Sequence, residues 1–255
     1  FHSFVGAWFQ AIQGGRGKRA FDVACKQAPT ALLLFLAGCV STPKPAPENP
    51  PAAPREFRAA WVATVANIDW PSKTGLSADK KRAEAVAILD RARDLHLNAI
   101  ILQVRPAADA LYPSPYEPWS EYLSGQQGGD PGYDPLKFWV EEAHRRGLQL
   151  HAWFNPYRAR HFQAKSGFAP THIAKTHPAS VKTYGDYHWM DPGDAFASQR
   201  TIQVVSDVVR RYAVDGVHID DYFYPYPIVD PKAPKPKPGE PAATIDFPDD
   251  PSWQV

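Results

Sequence analysis

The chain has 255 residues, 44% hydrophobic and 22% charged, enough for one sizeable core and unlike a collagen or a wholly disordered polymer. Its 28 Lys and Arg against 27 Asp and Glu leave no basic surplus that would point to nucleic acid as a partner. The 8 Trp, 11 Tyr and 13 Phe suit a core and also suit platforms for sugar rings, while the 27 Pro, gathered in two regions, mark where regular structure stops.

Residue 1 is Phe rather than an initiator, and residues 1–38 read as a leader. A basic cluster of Arg16, Lys18, Arg19 and Lys26 precedes an apolar run over 31–37. That run falls well short of the ~20 residues that cross a bilayer, so it reads as the core of an export signal. Its ending, Leu36-Ala37-Gly38-Cys39, resembles the lipobox of bacterial lipoproteins. The resemblance implies a lipid on Cys39 and, with Val40 next, an outer-membrane anchor facing the periplasm; the plainer alternative is a cytosolic protein with an accidental apolar patch. Cys25 would leave with the leader, so no disulfide pair remains. Residues 39–54, rich in Pro and Ala, read as an extended tether, and the folded domain is expected over 55–255.

Residues 57–65 form an apolar run flanked by turn signals, which predicts a first strand. Ser77 is placed to cap a helix with Ala85, Ile88, Ala92 and Leu95 on one face. A second strand over 99–105 sets Ile100, Leu102 and Val104 opposite Gln103 and Arg105. Asp134 and Pro135 open the next helix, and Gly147 closes it. A third strand over 148–155 sets His151, Trp153 and Asn155 on one face. A longer loop carries His161, His172, His177 and His188, whose spacing is not that of ligands and which are taken as solvated. A helix near 198–212, aligning Ile202, Val205, Val209 and Tyr212, then leads to residues 215–226.

That last stretch carries the chemistry. Alternation along a strand sends Val217 and Ile219 to one side and His218 and Asp220 to the other, before an aromatic loop with Tyr222 and Tyr224. Strands alternating with helices want parallel pairing by right-handed crossovers. Because Gly-x-Gly-x-x-Gly and Walker A turns are missing, a barrel with polar groups at the carboxyl ends of its strands is expected over a doubly wound sheet.

Five motifs then occur in order: Asn67-Ile68-Asp69-Trp70-Pro71, Gln103-Val104-Arg105-Pro106, residues 151–158, Met190-Asp191-Pro192-Gly193 and residues 215–227. Together they resemble the glycosyl-hydrolase-like family 10, over essentially everything after the tether. The resemblance implies a (β/α)8 TIM-type barrel, an exported location and hydrolysis of glycan, with peptidoglycan strands stripped of their peptides as the substrate of members acting at the division site. Such a barrel takes ~250 residues, so only about the first four β-α units are expected here, and the chain reads as an N-terminal fragment. An open half-barrel leaves unpaired edges, and the chain as written is expected to be poorly stable and inactive.

Glycoside hydrolysis ordinarily takes two opposed carboxyl groups. Asp220 and Asp221 are neighbours pointing apart on a persisting strand, so they are not that pair. Asp220 is the expected acting carboxylate, and its setting in Asp-Gly-x-x-x-Asp also resembles the nucleophile motif of amylase-like barrels. Asp221 supports it, unless both merely bridge to Arg105 and Arg158. The partner acid is expected beyond Val255, since Asp109 and Glu117 sit in a loop. Substrate contacts are expected from Arg105, Trp153, Asn155, Arg158, His218, Tyr222 and Tyr224; the plainer readings are an interior ion pair for Arg105, a loop tie for Asn155 and core packing for the rings and His218. No metal or other cofactor is expected, although His151, His218 and Asp220 would suffice for a zinc if they converged. A glycan-binding lipoprotein without catalysis and, further off, a metal-dependent hydrolase are the competing functions.

Overall fold

A computed structural model describes residues 56–220 and 223–253 of the protein. The leader, Cys39, the tether, Asp221 and Tyr222 lie outside the described residues. Among the described residues no helix is long and apolar enough to cross a membrane.

In chain order the elements are β1 (Ala59–Val62), α1 (Ala78–Asp94), β2 (Ala99–Arg105), the short α2 (Glu121–Ser124), α3 (Pro135–Arg145), β3 (Gln149–Phe154), β4 (Arg158–Arg160), the short α4 (Ile173–Thr176), β5 (Val181–Tyr184), β6 (Tyr187–Met190), α5 (Ala195–Arg211), β7 (Gly216–Ile219), β8 (Ile228–Val229), β9 (Thr244–Ile245) and the short α6 (Asp250–Trp253). β1, β2, β3 and β7 form a four-stranded sheet in that order, every pair parallel. The protein is therefore an α/β protein built on a parallel sheet with helical crossovers.

The sequence explains where these elements start. The Ser77 hydroxyl accepts from the Lys80 amide, and an Asp134 carboxylate oxygen accepts from the Lys137 amide, each filling an orphan donor at a helix start. Gly147 ends the α3 turn at φ 71°, a left-handed conformation that costs glycine little. Trp70, wholly buried, donates its indole N–H to the Lys81 carbonyl at 2.9 Å and meets Trp139 edge-on at 5.3 Å, which pins α1 and α3 to the exit of β1. Ala60 and Ile100 line a groove with Ala87 and Ile88 of α1, so this parity of the strands faces the helices. Trp61, Trp153 and His218 touch one another on the opposite face.

Four expectations need correction. The first strand is shorter than 57–65, because the chain turns into a single 3₁₀ turn over Val65–Asn67, with Ala66 and Asn67 at φ 53° and 56°. The segment after β3 is not simply a loop: β4, β6 and β5 make an antiparallel sheet of their own. It packs its inward residues, among them Tyr184, Trp189 and Met190, into a second core cluster with Tyr157 and Ala197. Third, α5 begins three residues early, since Asp194 accepts from the Ala197 amide at 2.8 Å. Its buried stripe runs through Ala197, Thr201, Val204, Val205 and Val208, leaving Val209 half exposed. The roll is fixed by Thr201, whose hydroxyl donates to the Pro156 carbonyl at 2.8 Å. Fourth, the loop histidines are not uniformly solvated: His172 is wholly buried, accepting at Nδ1 from the Ala174 amide and lying 3.3 Å at Nε2 from the Ala107 carbonyl.

Candidate functional site

The face of the sheet turned away from the helices carries two layers. The inner layer is aromatic. Trp61 of β1 meets Trp153 of β3 edge-on at 4.9 Å and His218 of β7 at 5.3 Å. Across β3 and β7, His151 Nδ1 lies 2.8 Å from His218 Nε2, so one imidazole donates and the other accepts. Burial, first, holds both histidines below the usual imidazole range, and their mutual charge adds to this at His218. Gly216 makes the arrangement possible: a Cβ there would sit 2.5 Å from His151 Nδ1. The preceding Asp215 locks the start of β7, accepting from the Leu150 amide and from His144 Nε2, both at 2.8 Å.

The outer layer lies at the carboxyl ends of β2, β3 and β7. Asn155, wholly buried, directs its side-chain amide N–H at both carboxylate oxygens of Asp220, each at 3.2 Å. Its carbonyl oxygen accepts from the amides of Tyr157 at 3.2 Å and Arg158 at 2.7 Å. Asn155 thus ties down the turn into β4 and aims the Asp220 carboxylate at once. Arg105, the last residue of β2, is also wholly buried. It donates from Nε to both Glu117 oxygens at 3.0 and 2.8 Å and from Nη1 to the Asn155 and Pro156 carbonyls at 2.8 Å, while Nη2 makes a further short contact with Glu117. Asp109 lies in the same loop, 1% exposed, with Oδ1 accepting from the Ala107 amide at 2.9 Å. Burial pushes its carboxyl up to about 7, and the charges of Glu117 and Glu121 act in the same direction.

The expected site residues therefore part company. Asp220 and Asn155 meet at the strand ends, with Asp220 half-buried. Arg105 is an interior ion-pair partner of Glu117 rather than an open ligand for sugar, and it does not bridge to Asp220; a cation carried inside by a strand needs an internal counter-charge, and the loop supplies one. Asn155 is likewise a buried tie, with no exposed edge for a hydroxyl. His218 gives Nε2 to His151, and Trp153 stands against Trp61, so both belong to the inner layer. Arg158 is buried, donating to the Pro106 carbonyl at 3.3 Å with its guanidinium 5.9 Å from the Trp189 ring. Tyr224, 37% exposed, donates its hydroxyl to Asp249 at 2.9 Å and meets Phe247 edge-on. Among the described residues, no three His, Cys, Asp or Glu side chains come together as a metal site would require. Glu117 and Asp109, set aside in the sequence as loop acids, lie buried beside the strand ends, Glu117 as the counter-charge that the inward Arg105 required; Asp215 was not singled out as a site residue.

A parallel α/β sheet whose polar centre sits at the carboxyl ends of its strands is the class of scaffold that presents an active site there. The chain belongs to the glycosyl hydrolase-like 10 family, whose model matches residues 56–235. It is 49% identical over 175 residues to glycosyl hydrolase YngK of Bacillus subtilis (strain 168), a match covering 68% of this chain and 34% of that protein. To glycosyl hydrolase DigH of Escherichia coli (strain K12) it is 38% identical over 220 residues, covering 76% of this chain and 50% of the relative. The chain thus spans a third to a half of the length of these relatives. Among solved structures, alpha-L-fucosidase isoenzyme 2 from Paenibacillus thiaminolyticus matches with a TM-score of 0.43 at 16% identity over 65% of this chain and 23% of the other, a likeness too slight to bear on mechanism.

Proposed function

We propose that this chain carries the first four β-α units of a (β/α)8 barrel that, in a full-length protein, hydrolyses glycosidic bonds of cell-wall glycan. The observation that carries the reading is the Asn155–Asp220 pair: a half-buried carboxylate at the end of β7, aimed by a buried amide that is itself locked to the turn above β3. Family membership supports the class of reaction. Barrel closure is supported by the two edges of the sheet, β1 and β7, and by Trp61, which turns a half-exposed indole away from the helices where a closed barrel would bury it. Asp220 acts as nucleophile or as acid-base group, Asp221 supports it, and the opposed carboxyl group comes from a strand of the second half. Peptidoglycan is the proposed glycan, with export and an outer-membrane lipid anchor through Cys39.

Asp220→Asn in a full-length protein tests this. Cleavage of peptide-free peptidoglycan strands is expected to fall by at least about a hundredfold, with binding retained. Cleavage within tenfold of wild type would refute the role of Asp220, and a wild type that binds glycan without cutting it would be a glycan-binding protein instead. Intact mass of the membrane fraction tests the anchor, since an acyl mass on Cys39 is required.

A further inference from the structure

The β2–β3 ladder contains one irregularity, at the strand end next to the Asp220 centre. Gln103 pairs with Trp153 and Arg105 with Phe154, so Val104 is an extra residue with no partner on β3. An extra residue of this kind bends its strand and re-aims the side chains beside it, and such bulges gather next to active sites. The Val104 carbonyl accepts instead from the Leu111 amide at 3.0 Å. The loop that follows is closed at Ala110, whose amide donates to the Pro118 carbonyl and whose carbonyl accepts from the Ser120 amide, both at 2.9 Å. Glu117 is thereby carried back to the guanidinium of Arg105.

Asn155 and Asp220 each follow the last paired residue of their strands, Phe154 of β3 and Ile219 of β7, so the β3–β7 ladder does not fix them. Arg105 takes over at that point. Its carbonyl accepts from the Asn155 amide at 3.0 Å, and its Nη1 donates to the Asn155 and Pro156 carbonyls, both at 2.8 Å. One residue thus holds Asn155 on both sides, while Glu117 on Nε and Nη2 fixes the plane of the guanidinium. The side chain of Asn155 is left for Tyr157, Arg158 and Asp220. Its two contacts with the Asp220 oxygens, at 3.2 Å, stand at the long end of the N–H···O range and leave little room for rotation.

We infer that Arg105 is a positioning residue for Asp220: clamped by Glu117 and set by the extra residue at Val104, it orients Asn155, and Asn155 orients the carboxylate. The inference rests on the hydrolase reading in which Asp220 reacts, and adds to it what fixes the direction of that carboxylate. Arg105 serves the reaction while sealed from substrate.

Arg105→Lys in the full-length protein is the test. It keeps a charge beside Glu117 and loses the planar fork that faces an acid and two carbonyls at once. On peptide-free peptidoglycan strands kcat should fall by about tenfold or more while KM stays within about twofold, because misdirection acts on the transition state rather than on substrate binding. The limb of the kcat profile against pH that reports Asp220 should move up by about half a unit, since donors that favour the charged carboxylate are withdrawn. Val140→Ala, a core change in α3 outside this chain of contacts, lowers stability too but should move neither kcat nor that limb. A crystal structure of the full-length Arg105→Lys protein should show the Asn155 amide turned off one or both Asp220 oxygens. If Arg105→Lys does not fold, Glu117→Gln releases the same guanidinium and should give the same signature. A kcat within about twofold of wild type with an unmoved limb, the same losses in Val140→Ala, or an Asn155–Asp220 contact unchanged in the variant crystal each overturns the inference. A wild type that never cleaves glycan sinks the hydrolase reading alone, and the variant crystal then decides whether Arg105 aims Asp220.

Discussion

Removing Glu117 should be among the most damaging single changes to this domain. Arg105 is 0% exposed and the Glu117 side chain 3%, so neither charge has water to fall back on. Glu117→Ala deletes both acceptors of Nε and the oxygen partner of Nη2, leaving the guanidinium the Asn155 and Pro156 carbonyls at 2.8 Å and the weakly accepting Met190 Sδ at 3.5 Å. Breaking a buried pair from one side costs about 3–5 kcal/mol, because an uncompensated charge remains. For a domain of this size that corresponds to a fall in Tm of roughly 6–20 °C. Arg105→Met should cost at least as much: it strands the Glu117 carboxylate near Asp109 and takes a donor from each of two buried carbonyls, each worth about 1–3 kcal/mol. In the double variant Arg105→Met with Glu117→Ala neither charge of the pair is left, so the loss should be smaller than the sum of the single losses by about 2 kcal/mol or more. Equilibrium urea unfolding followed by tryptophan fluorescence measures all four forms. If Glu117→Ala stays within about 1 kcal/mol of wild type, or if the losses simply add, the pair is not the isolated interior contact described here.

Asp109, with its carboxyl pushed up to about 7, holds its proton more tightly folded than unfolded. Its contribution is complete below about pH 4 and is lost as pH rises through 7, so Asp109→Asn should raise stability at pH 8 by about 2–4 kcal/mol and change little at about pH 4 in chemical denaturation. His172 works in the other direction: burial holds it at about 4, so the folded protein keeps it neutral. Stability should fall by up to about 3 kcal/mol as pH drops from 6.5 toward 4, and His172→Gln should flatten that acid limb. Asn155→Ala orphans the Tyr157 and Arg158 amides and releases Asp220. Unfolding free energy should drop by about 2 kcal/mol, and in a full-length protein kcat should fall more than KM, whereas an equal change in both would deny Asn155 its aiming role.

Much of the framework is legible one residue at a time. The caps at Ser77 and Asp134, the alternation over 99–105 and the Asp-Gly opening of β7 are local signals, because capping and pleating act within a few residues of the chain. The antiparallel sheet of β4, β5 and β6 left no such trace, since its strands are three or four residues long and their pairing is set by the second core beneath them. The buried stripe of α5 was misread for a related reason: which face of a helix goes inward depends on what it lies against, here the Pro156 carbonyl that holds Thr201.

By itself the sequence determined the order of the four parallel strands and of the helices that join them, the parallel sheet they imply, the motifs that mark the family, and the inward parity that sets Asp220 and Asn155 on one face. Only the tertiary structure decided which inward groups remain for chemistry and which are consumed in holding the fold. Arg105, Asn155 and His218 looked alike as polar residues on the inner side of a strand, yet each one's role follows from a partner 50 or more residues distant, or from an acid carried back by a loop: Asn155 to Asp220, His218 to His151, Arg105 to Glu117. Periodicity fixes the direction in which a side chain leaves its strand, while the atoms it meets there are contributed by segments whose approach no local pattern records.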